Sequence, residues 1–407
     1  MNDITAESRT DWTAVGEAQL ADAVALRRAI HADPEIGLQC PRTTDKIKAA
    51  LAGLPLEIRD STSTTGFVAI LRGGRDNGRT VLLRGDHDAL PMQEETGLPF
   101  ASTVPGAMHA CGHDLHTAML VGAARALCAR AADLPGTIVF MFQPGEEGYH
   151  GARFMIEDGL LADPKPEAAF ALHISPNMRS GVFVSRAGAL LASTDAINIT
   201  VRGAGAHAAM PQDGIDPIPV ACEIVTALST FVARQIAVTD PAVLSITKIT
   251  AGSAYNIVPD EVQMIGTLRT LSNATRTKAK AGLQRIVEHV AAAHNCVGEL
   301  RIDEGYPVTQ NDPRAVAMIR DIAVRLGGDG SYVTMPAPMM GGEDFSYVLR
   351  DIPGAMAFVG VAPEGTDPNT NPPLHNTKMT IDERVMAKGV AMHCALAEAF
   401  LNDGLGD

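Results

Sequence analysis

A few short segments of this 407-residue sequence gather most of its metal-capable and acid–base side chains. Arg84-Gly-Asp-His-Asp-Ala-Leu-Pro91 offers Asp86, His87 and Asp88. Met108-His-Ala-Cys-Gly-His-Asp-Leu-His116 offers Cys111 and His113, two apart around a glycine. On an extended stretch, positions i and i+2 point to one side, so a single cation can take both. Gln143-Pro-Gly-Glu-Glu-Gly148 carries adjacent carboxylates, Glu146 and Glu147, that must point in different directions. One can bind a metal while the other holds a water. His173 ends an apolar run, and His375 sits in the proline-rigid loop Pro372-Pro-Leu-His-Asn376. Thiolate and imidazole suit zinc, imidazole also suits nickel, and carboxylates admit manganese. So many donors suit two ions that share ligands and clamp a water and a carbonyl oxygen between them.

The elements that must position these residues follow from periodicity. Helices are expected at 17–32 and 44–54, then short strands at 66–71, 80–84, 137–143 and 168–174, with a long helix at 114–132. Asp114 is placed to cap that helix. Strands alternating with helices predict an α/β domain with a mostly parallel sheet covered on both faces. Ligands of such sheets bind outside the carboxyl ends of the strands, so the segments above should converge on one rim. The middle of the chain changes style. Ile197, Ile199 and Val201 alternate on one strand, and the order of elements to residue 304 reads β-α-β-β-α-β, the pattern of a ferredoxin-like α+β sandwich. An inserted domain is therefore expected at 192–304, between two parts of a catalytic domain, 1–191 and 305–407. Helices at 313–326 and 382–401 close the chain.

Composition restricts the partners. The chain is 46% hydrophobic and 20% charged, ordinary for a globular protein, and its formal charge of −14 speaks against a nucleic-acid partner. No uncharged apolar run reaches the ~18 residues of a membrane span. The first thirty residues contain Asp3, Glu7, Asp11, Glu17 and Asp22, which does not match a signal peptide. The six cysteines are dispersed, with no Cys-x-x-Cys pair, and a reducing, cytoplasmic setting is the expectation. A zinc nucleobase deaminase would need His-x-Glu and Pro-Cys-x-x-Cys, which the sequence lacks.

Arg-Gly-Asp-x-Asp-Ala-Leu-Pro, Met-His-Ala-Cys-Gly-His-Asp, Gln-Pro-Gly-Glu-Glu and the Gly-Gly-Glu-Asp-Phe of 341–345 together resemble the dinuclear metallo-amidohydrolases. These include hippurate hydrolase, bacterial N-acyl-L-amino-acid amidohydrolases and plant auxin-conjugate hydrolases, within the aminoacylase and carboxypeptidase G superfamily. The resemblance spans nearly the whole chain, from His31-Ala-Asp-Pro-Glu-Ile-Gly37 onward. It implies a metallopeptidase-like catalytic domain with an inserted lid and dimerisation domain, and two divalent ions (zinc, manganese, nickel or cobalt). It further implies Cys111, His113, Glu147, His173 and His375 as ligands, with Cys111 the bridge and Glu146 the general base and then acid. Asp86 stands where other branches use a ligand histidine, and His87 stands where methionine is common; neither is assigned as a ligand. In the lid, His207 resembles the histidine that polarises the scissile carbonyl, and Asn256 and Arg269 resemble residues that hold the substrate, Arg269 through its carboxylate. The implied reaction is hydrolysis of a small-molecule N-acyl amino acid by a homo-oligomer, dimer or tetramer. An aminopeptidase, dipeptidase or carboxypeptidase on the same scaffold is the alternative.

Overall fold

A computed structural model describes residues 10–406. Asp3 and Glu7 lie outside the described residues. The chain divides into two compact units. One holds the chain up to Gly188 together with Gln310–Pro336 and the chain from Tyr347 onward; the other holds Ala189–Thr309 and Ala337–Ser346.

The first unit is built on an eight-stranded sheet. Its order is Glu57–Asp60, Phe67–Arg72, Pro135–Gln143, Arg75–Asp86, Ala168–Ser175, Gly354–Gly360, Phe183–Ser185 and Tyr332–Thr334. Four adjacent strands, from Pro135–Gln143 to Gly354–Gly360, run parallel. Those before them are joined antiparallel. Phe67, Ala69 and Leu71, with Val81, Leu83, Ile138, Phe140 and Phe142, project into the main core, shared with the helices Trp12–His31, His113–Cys128 and Val385–Asp403. The intervening Val68, Ile70, Leu82, Val139 and Met141 are buried as well, so both faces are covered. This is why these strands read as continuous apolar runs rather than alternating ones.

The crossover helix between the two central strands spans His113–Cys128, shorter than the expected 114–132. All of its residues but Arg125 are buried, since it packs against the sheet and against Trp12–His31 and Val385–Asp403. Asp114 does not cap it. The N-cap is Gly112, and Asp114 lies in the first turn, where its carboxylate accepts from Arg27 Nε (2.7 Å) and contacts His31 Nδ1 (2.8 Å). A buried carboxylate bound by a guanidinium is worth more there than a cap to the helix backbone.

The second unit has an antiparallel four-stranded sheet in the order Ala242–Ala251, Glu261–Thr270, Ser193–Arg202, Val297–Glu304. In chain order this is 2-3-1-4, the ferredoxin-like arrangement. Ile197, Ile199 and Val201 face the helices Pro217–Gln235 and Asn273–Ala293 across a common core. Pro217–Gln235 is apolar and long enough to pass for a membrane span by composition, but its Val220, Ile224, Leu228 and Phe231 are in that core. Asp216 and Ser272 cap the two helices through Ile218 N–H and Thr275 N–H. Ala337–Ser346, which sequence order placed with the catalytic domain, joins this unit. The Ala192 N–H donates to the carbonyls of Met339 (3.1 Å) and Gly341 (2.9 Å), holding the segment at the start of Ser193–Arg202.

Candidate functional site

The parallel strands deliver their carboxyl ends, Asp86, Gln143 and Ser175, to one rim of the first unit. Just beyond them, Asp88 organises the Glu-Glu turn. Its two carboxylate oxygens accept the backbone N–H groups of Glu146 (3.0 Å) and Glu147 (3.1 Å), and its carbonyl pairs with His113 Nδ1 at 2.9 Å. Glycine at 145 takes φ +75°, and a Cβ there would meet the Leu38 side chain at 2.6 Å. The turn is thus fixed from both sides, and the two glutamate side chains are presented from a rigid backbone.

Around this turn the metal-capable atoms form overlapping groups. Cys111, His113 and His173 make one, Cys111, Glu147 and His375 a second, and His113, Glu146 and Glu147 a third; within each, the ligand atoms lie within 4.8 Å of one another. Cys111 Sγ is 3.5 Å from His173 Nε2, and His375 Nε2 is 3.1 Å from Glu147 Oε1. The structure therefore brings Cys111, His113, Glu146, Glu147, His173 and His375 into one cluster, with Cys111 common to two groups. His375 reaches it from a loop whose N–H donates to Ala110 O (2.8 Å), in a left-handed conformation with φ 62°. A non-glycine residue held there carries strain that the surroundings must enforce.

The electrostatics fit a cation. Burial pushes the Cys111 thiol well above its ordinary pKa, so a thiolate there requires a positive partner. Burial and the neighbouring His116 hold His173 well below the usual histidine value, in the neutral form a ligand needs. Burial disfavours the His113 imidazolium too, but Asp86, Cys111 and Asp88 together outweigh it and raise His113 well above its usual value. His113 Nε2 is buried without a hydrogen-bond partner, which a metal bond would resolve.

Asp86 itself is committed elsewhere. Its Oδ2 is 2.6 Å from Arg84 Nη1, and its Oδ1 pairs with His116 Nδ1 at 2.6 Å. His87 is fully buried with neither ring nitrogen hydrogen-bonded, its pKa pushed down by burial to about 4, and none of the groups above includes it. Asp88 and His116 are residues to which the motifs assign no role, although both stand inside quoted motifs. Their function shows only through their partners in space, the Glu146 and Glu147 N–H groups for Asp88 and the Asp86 carboxylate and Ile174 N–H for His116, which a sequence does not reveal.

His207, Asn256 and Arg269 all belong to the second unit, and the structure does not bring all three together. His207 pairs with Ile257 in a short two-stranded antiparallel sheet, Ala206–His207 with Ile257–Val258. His207 and Asn256 line one open depression of ≈ 720 Å³, together with Gly205, Ser253 and Asp260. Arg269 is at the other end of Glu261–Thr270, opposite Thr194, where its Nε donates to Thr267 Oγ1 (3.2 Å). Eight residue steps along the strand separate it from Glu261, roughly 26 Å at about 3.3 Å per residue.

The profile of peptidase family M20/M25/M40 matches residues 82–399. An N-acetylcysteine deacetylase of Bacillus subtilis is 38% identical over 89% of this chain and 92% of its own length. Thermostable carboxypeptidase 1 of Saccharolobus solfataricus is 37% identical over 93% of this chain and 95% of its own. Among solved structures, a dinuclear metal binding peptidase of the M20 family from Bacillus subtilis superposes with a TM-score of 0.81 at 35% identity, covering 95% of this chain and 99% of that one.

Proposed function

Because this chain belongs to peptidase family M20/M25/M40 and is a hydrolase of amide bonds, we propose that it hydrolyses N-acyl amino acids at a centre of two divalent ions. The observation that carries the proposal is the cluster in which Cys111 is shared between His113 and His173 on one side and Glu147 and His375 on the other. A thiolate shared between two donor sets can bridge two ions, and the solved M20 relative is a dinuclear metal binding peptidase. Zinc, manganese, nickel and cobalt all suit this donor set. When bound, the ions supply a polarised carbonyl and a water acidified toward a pKa of ~7.

The chain's own residues do the proton work. Glu146, held by the Asp88 clamp, takes a proton from the attacking water and hands it to the leaving amine. The Ala209 N–H donates to His207 Nδ1 (3.1 Å), so the neutral ring carries its proton on Nε2 and can donate to the developing oxyanion. Asn256 beside it holds the acyl side. Arg269 reads the free carboxylate of the amino-acid half through its Nη fork, with Nε anchored on Thr267. The substrate is smaller than the roughly 26 Å strand interval between the ends that carry His207 and Arg269. One lid therefore cannot present both to one substrate, and the assembly is a homo-oligomer in which two copies each contribute one of them. Met210, Tyr255 and Ile257, all exposed around His207, support burial of that tip in an assembly.

N-acetyl and N-benzoyl amino acids should be turned over with a higher kcat/KM than free-amine dipeptides, in an assay supplemented in turn with zinc, manganese, cobalt and nickel. The reverse preference would establish the dipeptidase alternative. Arg269→Ala should lower kcat/KM for an N-acyl amino acid roughly ten- to hundred-fold, the equivalent of one charge-assisted bond. The matching C-terminal amide, with no anion to lose, should be affected far less. Equal losses on both would make Arg269 a support of the lid.

Cys111 provides a check that does not depend on turnover. A coordinated thiol is deprotonated and shielded by its metal. Iodoacetamide followed by mass spectrometry should show Cys111 modified after chelation and protected after metal is restored. Equal labelling in both states would remove it from the ligand set.

A further inference from the structure

One chain of polar contacts in the first unit is left over by the mechanism, and it ends at a ligand. Arg84 Nε donates to Gln143 Oε1 (2.9 Å), while Arg84 Nη1 lies 2.6 Å from Asp86 Oδ2. Asp86 Oδ1 faces His116 Nδ1 at 2.6 Å. His116 Nε2 lies 2.9 Å from the backbone N of Ile174, which can only donate. The tautomer follows: His116 carries its proton on Nδ1, donates a hydrogen bond through it to Asp86 Oδ1, and accepts at Nε2. The carbonyl of the same Ile174 accepts from His173 Nδ1 at 2.7 Å, which leaves His173 Nε2 as the lone-pair nitrogen facing Cys111 Sγ. Ile174 therefore has both of its peptide groups engaged, one by His116 and one by the candidate ligand.

The same residue is clamped from the other side. Gly112, between Cys111 and His113, adopts φ +81°, and a Cβ on it would fall 2.5 Å from Ile174 Cγ1. The loop that carries two candidate ligands and the strand end that carries a third thus meet on Ile174. Arg84, Asp86, His113, His116, His173 and Ile174 are all nearly or fully buried, so none of these bonds competes with water.

We propose that His116 is a positioning residue for the metal centre: through the Ile174 peptide it fixes the tautomer and orientation of His173, with Asp86 and Arg84 fixing His116 in turn. Asp86, at the strand end where a ligand is expected in other branches, here serves at one remove, as the acceptor that sets the His116 tautomer. Partners that orient metal-bound histidines commonly govern metal affinity by 10–100-fold. The proposal rests on the reading of His173 as a ligand.

Three substitutions separate its parts. His116→Gln keeps an acceptor near the position of Nε2, for the Ile174 N–H. His116→Asn keeps a polar group near Nδ1, for Asp86, and cannot reach Ile174. His116→Phe keeps the ring shape and neither bond. The readout is metal affinity of the purified full-length chain, measured by chelator competition with zinc and with manganese. Hydrogen exchange at the Ile174 amide in the metal-free protein is the second measurement. His116→Phe and His116→Asn should weaken metal binding by about 10–100-fold and speed exchange at Ile174, while His116→Gln stays within a few-fold of the unsubstituted protein on both. If the Phe variant does not accumulate, the Asn–Gln pair still decides. Wild-type affinity in His116→Phe would show that shape alone suffices, and equal losses in Asn and Gln would show that the Ile174 bond is not the route; either overturns the proposal. His173→Ala, run alongside, should lose metal outright. Unchanged affinity there would instead overturn the ligand assignment beneath it.

Discussion

Glu146→Gln is expected to lower kcat by ~10²–10⁴ while metal content stays near that of the unsubstituted enzyme, because a lost general acid–base group costs about that much. The amide keeps the shape of the carboxylate but cannot take the proton of the attacking water. The geometry makes the substitution clean. The backbone N–H of Glu146 is held by Asp88 Oδ1 and that of Glu147 by Asp88 Oδ2, so the turn does not depend on the Glu146 side chain. Glu147→Gln should behave in the opposite sense, losing metal first and activity as a consequence, since Glu147 sits with Cys111 and His375 in one donor group. Metal analysis and steady-state kinetics on the same two preparations separate these outcomes. Near-normal turnover in Glu146→Gln would remove it as the base.

The rim was legible in the sequence because it obeys a topological rule. Strand ends such as Asp86 and His173 announce themselves by a polar residue closing an apolar run, and parallel order then puts them on one side. The strand Gly354–Gly360 was not legible. Gly-Ala-Met-Ala-Phe-Val-Gly has neither alternation nor β-branched density, because it is buried on both faces and flanked by small residues. Its place beside Ala168–Ser175 is set by tertiary packing. Asp114 misled for a related reason. An aspartate before an apolar helical run reads as a cap, and only the distant Arg27 and His31 turn it into a buried ion-pair partner. The second unit was readable as β-α-β-β-α-β from order alone. What order cannot reveal is that Ala337–Ser346 returns to it, through two hydrogen bonds to Ala192. Likewise, motifs named His207, Asn256 and Arg269 together, and only the pairing of the strands shows that His207 and Asn256 lie by a small two-stranded sheet while Arg269 lies near the far end of Glu261–Thr270.

That separation has a second large consequence. His207→Ala removes an oxyanion donor and should cost ~10²–10³ in kcat. Arg269→Ala should be impaired as well on carboxylate substrates. Mixed after dissociation and reassembly, the two impaired proteins should recover activity. If each site takes Arg269 from one copy and His207 from another, a mixed dimer has one site with both residues and one with neither. Random pairing makes half of the dimers mixed, so about a quarter of all sites should work at the full rate in a symmetric dimer. If both residues served a site from the same copy, every site in the mixture would carry one lesion and the activities would merely average. The depression shared by His207 and Asn256 extends the test. An Asn256→Ala protein should complement Arg269→Ala as His207→Ala does, and should fail to complement His207→Ala, because the latter two act from the same tip. Complementation between Asn256→Ala and His207→Ala, or none between either of them and Arg269→Ala, would show that the two-stranded tip and the strand end do not divide the substrate between copies.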